Sequence, residues 1–195
     1  MIRETVNALL ACVVTFVICA VAYPATVWAL GQVAFPDQAE GSLIRNRERV
    51  VIGSSLVAQP FASDKYFSPR PSAADYNASA TSGSNLGTKN PDLRKKIAER
   101  AEALKATPDA PAPVDLVTAS GAGLDPHISP EAARYQAARV AAARNLPGER
   151  VRELIEKYTD RSAAIIGAPP RVNVLLLNIA LDEEKPTPSS ALASY

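Results

Sequence analysis

From Val6 to Leu30 only Asn7, Thr15, Pro24 and Thr26 interrupt a run of hydrophobic residues, and no charged side chain stands between Glu4 and Asp37. At 1.5 Å per residue a run of this length reaches about 37 Å, enough to cross a hydrocarbon core of about 30 Å with some tilt. The pattern predicts a transmembrane helix over residues 6–32, with residues 1–5 as a short lead on the cytoplasmic side. Tyr23, Trp28 and Phe35 gather towards its far end, where amphipathic rings favour the membrane interface. Pro24 is tolerated in such a helix and predicts a kink. Ala20-Val21-Ala22 fits a small-residue cleavage pattern, but the apolar sequence continues to Leu30, so the span is expected to stay uncleaved. Leu9-Leu10-Ala11-Cys12 resembles a lipidation signal with too little sequence before it.

Beyond residue 33 the pattern changes to that of a water-soluble domain, predicted over 33–182. Val50-Val51-Ile52, β-branched and closed by Gly53, reads as a short strand. Phe61, Tyr66, Phe67 and Tyr76 crowd into a stretch otherwise rich in Ser, Pro, Gly and Asn. Such a stretch is too polar for a regular element and too aromatic for a linker, so it predicts an ordered loop packed on a core or a partner. Asn90-Pro91-Asp92 is a helix start, with Leu93, Ile97, Ala101 and Leu104 on one stripe. Val114 to Thr118 suggests a short buried strand. Ser129-Pro130-Glu131 starts an Ala-rich helix running to Arg144, and Val151, Leu154, Ile155 and Tyr158 give the spacing of a third helix. Val172 to Leu181, mostly Val, Leu and Ile, predicts a central strand covered on both faces. The fold class is therefore α+β (α/β-like), a small mixed sheet with about three helices, preceded by one membrane helix. Residues 183–195 read as a disordered tail.

Charge and composition narrow the chemistry. Lys plus Arg number 21 and Asp plus Glu 20 over 195 residues, a balance that argues against nucleic-acid binding. One His and two Cys leave no material for a zinc cluster or a disulfide framework. Cys12 and Cys19 lie about 10 Å apart along the predicted helix, too far to bridge. Arg3 is the only charged basic side chain before the span, and Arg45, Arg47 and Arg49 are the first beyond it. By the positive-inside rule this favours a cytoplasmic N-terminus and a soluble domain outside the cytoplasm.

Asp125, His127 and Ser129, with Ser120 nearby, are the residue types of acyl transfer on a single loop. A triad usually draws its members from distant elements, and no G-x-S-x-G turn is present. The same residues serve equally to brace the loop before Ser129 caps the next helix. Gly121 and Gly123 lack the third glycine of a dinucleotide fingerprint, and no phosphate loop follows Gly83 or Gly87. No catalytic residue and no metal ligand is assigned.

Several segments resemble signatures of one family. They are Phe35-Pro-Asp-Gln-Ala-Glu-Gly-Ser-Leu-Ile, Tyr66-Phe-Ser-Pro-Arg-Pro-Ser-Ala-Ala-Asp-Tyr-Asn, Ser82-Gly-Ser-Asn-Leu-Gly and Pro113-Val-Asp-Leu-Val-Thr-Ala-Ser-Gly. Gly123-Leu-Asp-Pro-His-Ile-Ser, Gln136-x-x-Arg-Val-Ala and Arg171-Val-Asn-Val-Leu-x-Leu-Asn complete the set. The chain is similar to the KdpC family, the C subunit of the bacterial potassium-transporting Kdp ATPase, with small departures at Ala58 and Ala122. The resemblance implies a single-span accessory subunit of the inner membrane, working beside a channel-like potassium-binding subunit, a P-type ATPase subunit and a small membrane subunit. It implies a catalytic chaperone that raises the ATP affinity of the ATPase subunit. No cofactor of its own is expected, ATP being bound through the partner, with Gln136 as the suggested nucleotide contact or else an ordinary polar residue on an Ala-rich helix. Tyr66, Phe67 and Arg70 are candidate partner contacts, unless those rings belong to the domain's own core. A membrane-anchored periplasmic hydrolase or solute-binding domain built on Asp125 and His127 is the alternative.

Overall fold

A computed structural model describes residues 1–46 and 48–184, and the chain divides into two compact units, Met1–Ile52 and Gly53–Tyr195. The first unit is dominated by one continuous helix, Ile2–Ala34, of 33 residues, about 50 Å at the α-helical rise. It comprises α1 (Ile2–Phe16), a wider π-type stretch at Val17–Ala22, and α2 (Tyr23–Ala34). The π stretch ends immediately before Tyr23-Pro24. Proline has no N–H to give and its ring crowds the carbonyl one turn back, and a locally widened turn is a standard way to carry a helix past it. Thr26 Oγ1 donates to the Ala22 carbonyl at 2.8 Å, which satisfies a hydroxyl that hydrocarbon would otherwise penalise. No residue of this helix is buried. A helix that is apolar all round and uncovered along its whole length requires an apolar solvent. Cys12 and Cys19 are both free.

After α3 (Pro36–Ala39) the chain turns through Gly41 and Ser42, both at positive φ, into β1 (Leu43–Arg45). β1 and β2 (Val51–Ser54) form a two-stranded ribbon. The Asn46 side chain closes its turn by accepting from the N–H groups of Glu48 and Val50 at 3.0 and 2.9 Å.

The second unit is helix-rich. α4 (Pro91–Ala103) begins at the predicted cap, Asn90 accepting from Asp92 N at 2.8 Å. A single turn, α5 (Val114–Val117), stands where a strand was expected. Pro113 fixes a helix-compatible entry, and Thr118 Oγ1 closes the turn on the Val114 carbonyl at 2.8 Å. β3 (His127–Ile128) leads into α6 (Pro130–Arg144), capped by Ser129 and ended by Asn145 in the left-handed conformation. α7 (Gly148–Lys157) buries Val151, Leu154 and Ile155, as their spacing predicts. β4 (Thr159–Asp160) and β5 (Arg171–Asn173) complete a three-stranded sheet of order β3-β5-β4, antiparallel in both pairings, with His127 opposite Asn173 and Thr159 opposite Val172.

The long strand expected over Val172–Leu181 is corrected. Only Arg171–Asn173 is strand, and α8 (Val174–Glu183) follows it directly. Asn173 makes the switch, its Oδ1 accepting from Leu176 N at 3.1 Å as a helix cap. α8 buries Val174, Leu175, Leu177, Asn178, Ala180 and Leu181. A helix covered on nearly every side has no polar stripe, so its sequence carries no helical period. With Phe67, Ile128, Val140, Ile155 and Val172 it forms the core, against which the small side chains Ala132, Ala133 and Ala137 of α6 allow close approach. α8 also reaches one residue into the expected tail, and Glu184 pairs with Arg150 at 2.7 Å. The rest of that tail, 185–195, lies outside the described residues.

Candidate functional site

Residues 55–90 contain no helix or strand, yet this aromatic loop is fixed by side chains rather than by a backbone ladder. Two buried amides do most of it. Asn178 of α8 accepts from Phe67 N at 2.8 Å and donates to the Phe67 carbonyl at 3.0 Å. Gln136 of α6 accepts from Ser68 N at 2.8 Å and donates to the Ser68 carbonyl at 3.1 Å. Each amide thus pairs with both backbone groups of one residue, as a neighbouring strand would. Arginines of α6 take the preceding carbonyls: Arg139 donates to Asp64 O at 2.8 Å and Tyr66 O at 3.0 Å, and Arg144 donates to Lys65 O at 2.6 Å. Arg144 also lies 4.7 Å from the centre of the Tyr66 ring, and the Tyr66 hydroxyl donates to Asp182 at 3.2 Å.

This arrangement places the sequence-predicted residues. Phe67 has no exposed surface, so it belongs to the core and cannot meet a partner. Tyr66 and Arg70 are half-buried, and Arg70 reaches towards Asp125 Oδ2 and Thr118 Oγ1, both at 3.4 Å. Gln136 is 3% exposed. Its Oε1 takes Ser68 N and Arg139 Nη2, and its Nε2 gives to Ser68 O and, at 3.4 Å, to Ala132 O. The amide is saturated by its own domain.

The Asp125 loop is braced in the same manner. Asp125 Oδ1 accepts from His127 N at 3.0 Å, while His127 Nδ1 stands 3.6 Å away, too far for a hydrogen bond. Burial is the largest single influence on the Asp125 carboxyl and pushes its pKa up. Hydrogen bonding from His127 with the charges of Arg70 and His127 outweighs it, so the carboxyl is held below its ordinary value. Ser129 Oγ is occupied as the cap, accepting from Ala132 N at 3.1 Å, and Ser129 N donates to Asp115. His127 makes no side-chain hydrogen bond to Ser120 or Ser129 among the described residues, so no nucleophile–base pair is assembled there. Beside it, Gly123 adopts φ +73° where a Cβ would stand 2.8 Å from the Ser82 carbonyl. The loops carrying residues 82–83 and 121–123 therefore pass too closely for any side chain.

A cleft of about 780 Å³ lies between the aromatic loop, the C-terminal end of α4 and the middle of α6. Phe61, Tyr76 and Tyr135 supply its rings, and Arg100, Lys105 and Arg139 its positive charge, with Asp64 as the one carboxylate in its lining. The Tyr76 hydroxyl donates to Arg70 O at 3.0 Å and that of Tyr135 to Leu104 O at 3.2 Å. Burial raises the Tyr76 pKa, opposed by the nearby Arg100 charge. Arg100 donates to Val117 O at 2.9 Å through one guanidinium nitrogen. Arg100 lies off the stripe of Leu93, Ile97, Ala101 and Leu104, and no local sequence signal marks Arg100, Lys105 or Tyr135. Only the meeting of α4 with α6 makes them neighbours. Among the described residues no group of three His, Cys, Asp or Glu could hold a metal ion.

An apolar span followed by an α+β unit whose polar groups are used to brace loops defines the class: a membrane-associated protein with one helical anchor. Residues 5–183 match the family model described as KdpC: K+-transporting ATPase, c chain. The chain is 53% identical over 189 residues to a protein of Methylococcus capsulatus, covering 93% of this chain and 98% of the other. It is 50% identical over 184 residues to one of Geobacter metallireducens, covering 92% and 97%, and 52% identical over 172 residues to one of Pectobacterium atrosepticum, covering 86% and 90%. Each of these is named a potassium-transporting ATPase KdpC subunit. The chain belongs to the KdpC family, as its sequence signatures implied.

Proposed function

We propose that this chain is the non-catalytic accessory subunit of an ATP-driven, high-affinity potassium uptake complex, that it stabilises assembly, and that it raises the ATP affinity of the ATPase subunit. The observation that supports this reading is the use of polar side chains to brace the domain's own loops. Gln136, Asp125, Ser129 and Arg139 are all committed to holding loops, which suits a domain whose work is to present a shaped surface. The span runs through the bacterial inner membrane with its N-terminus in the cytoplasm and residues after Phe35 in the periplasm, since Arg3 precedes the span and no basic residue follows it until Arg45. The channel-like, P-type ATPase and small membrane subunits are its partners. In that orientation the second unit meets no cytoplasmic ATP. Its effect on ATP affinity is then a coupling free energy transmitted through the complex, of the usual size of about 1–3 kcal/mol, or roughly 5- to 150-fold in affinity. The saturated Gln136 amide favours this indirect route over direct nucleotide contact.

The test is the ATP dependence of potassium-stimulated hydrolysis by the purified complex with and without this chain. The proposal expects a higher KM for ATP and a lower yield of assembled complex without it. An unchanged KM and yield would exclude it. Orientation is read from a single cysteine at Ser63, with Cys12 and Cys19 replaced by Ser. Labelling by an impermeant maleimide in cells with an intact inner membrane is expected, and labelling only after lysis reverses the topology.

A further inference from the structure

The cleft between α4, α6 and the aromatic loop has unspent charge. Arg139 is matched by Asp64 at 3.2 Å, whereas Arg100 and Lys105 form no ion pair among the described residues. Phe61, Leu104, Leu116 and Tyr135 give the lining its apolar and aromatic part, beside the polar Ser63, Ser68 and Gln136. Two side chains reach into it from backbone that disfavours them, Tyr76 at φ +56° and Lys105 at φ +55°. Bulky residues at positive φ are uncommon and persist where the surroundings hold them.

We infer that this cleft docks an extended segment of a fellow subunit that presents an Asp or Glu carboxylate to Arg100 and Lys105 and an apolar or aromatic side chain to Phe61 and Tyr135. Charge complementarity decides the sign of the occupant, because a half-buried Arg100 and an exposed Lys105, neither in an ion pair among the described residues, line one side of a cleft that also carries rings and so favour an anion. Geometry decides its class. The end of α4 at the cleft is the C-terminal one, which offers none of the free N–H groups that cradle a polyphosphate at a helix N-terminus, and the donors of Gln136 and Arg139 are already taken within the domain. A single carboxylate needs only the two free cations. The inference rests on the accessory-subunit reading, and wild-type co-purification is the control that separates the two.

A carbodiimide joins an amine to a carboxylate in contact with it by forming an amide, the carboxylate oxygen leaving with the reagent as a urea. Treatment of the intact complex is expected to cross-link Lys105 to an acidic residue of another subunit, as read by peptide mass spectrometry. Lys105→Arg keeps the charge and should keep the complex while losing the cross-link. Arg100→Glu with Lys105→Glu should reduce retention of the other subunits about tenfold, as expected for a close charge pair turned repulsive. The double variant's amide exchange in α6 and α8 shows that the unit still folds. Full retention of the double variant without a Lys105 cross-link in the wild type would overturn the inference. So would protection of Lys105 in the isolated chain by millimolar ATP, which would make the cleft a small-anion site. If the wild-type chain brings down no other subunit, the accessory reading itself fails.

Discussion

Leu9 and Leu177 are the same side chain, yet Leu9 is 66% exposed in the first unit and Leu177 is completely buried in the second. Along Ile2–Ala34 the apolar groups point outward on every side, while in the second unit α8 puts equally apolar groups inward against α6 and α7. Apolar content alone does not tell an anchor from a core. What separates them is uninterrupted length and the absence of anything to cover it. The span runs 33 residues, whereas α8 has 10 and is flanked by capping and charged residues.

The comparison is broken most sharply at Phe67. Phe67→Ala is expected to destabilise the second unit by about 3–5 kcal/mol, read as fast amide exchange in α6 and α8 of the detergent-solubilised chain while the span stays protected. Loss of protection in both regions together would mean that the units are not energetically separate. Val14→Arg probes the other side. A cation at the middle of a span costs about 2.5–3.5 kcal/mol on insertion scales, so carbonate-resistant membrane association should fall while exchange in α6 and α8 stays unchanged.

Gln136→Ala sharpens the picture of a loop held by amides. Leaving Ser68 N–H and C=O unsatisfied is expected to cost about 1–3 kcal/mol and to expose the Lys65 bond to trypsin. If Gln136 served only a nucleotide, cleavage at Lys65 would not change. The smallest effect is acid dependence. Asp125 is held below its ordinary value by His127 and Arg70 against the opposing effect of burial, and Asp160 is held at about 2 by Ser162 and Arg171. Because both folded pKa values are depressed, their stabilisation is present above the ordinary carboxylate range and is lost as pH falls from about 4 towards 2. Amide exchange in the second unit should accelerate over that window. The span, with no titratable carboxylate or amine between Glu4 and Asp37, should not respond.

Local signals carried much of the fold into the sequence. Asn90-Pro91 and Ser129-Pro130 announce α4 and α6, the spacing of Val151, Leu154 and Ile155 announces α7, and the charge-free run announces the span. α8 is illegible because immersion in the core removes the polar stripe by which a helix is recognised, and a single Asn173 after Val172 does not stand out as a helix cap. The site was legible only in part. Crowded rings pointed to the aromatic loop, but whether Phe67 faces in or Tyr135 faces the cleft depends on contacts some seventy residues apart in the chain, as with Ser68 and Gln136, 68 apart. No local pattern encodes such a pairing.

The hydrogen bonds between Asn178 and Phe67 span 111 positions of sequence, and this has a bearing on biogenesis. The residue that ties down the backbone of Phe67, the largest fully buried side chain, is in the last described helix. A nascent chain whose anchor has already entered the bilayer can form α4, α6 and α7 early, but Phe67 has no polar tether until α8 has been synthesised and delivered to the same side. Closure of so distant a contact is slow relative to local helix formation. During that interval residues 64–68 can already be held by Gln136, Arg139 and Arg144 of α6, while Phe67 itself still lacks its α8 partner, so the core around this ring is the last part of the unit to close.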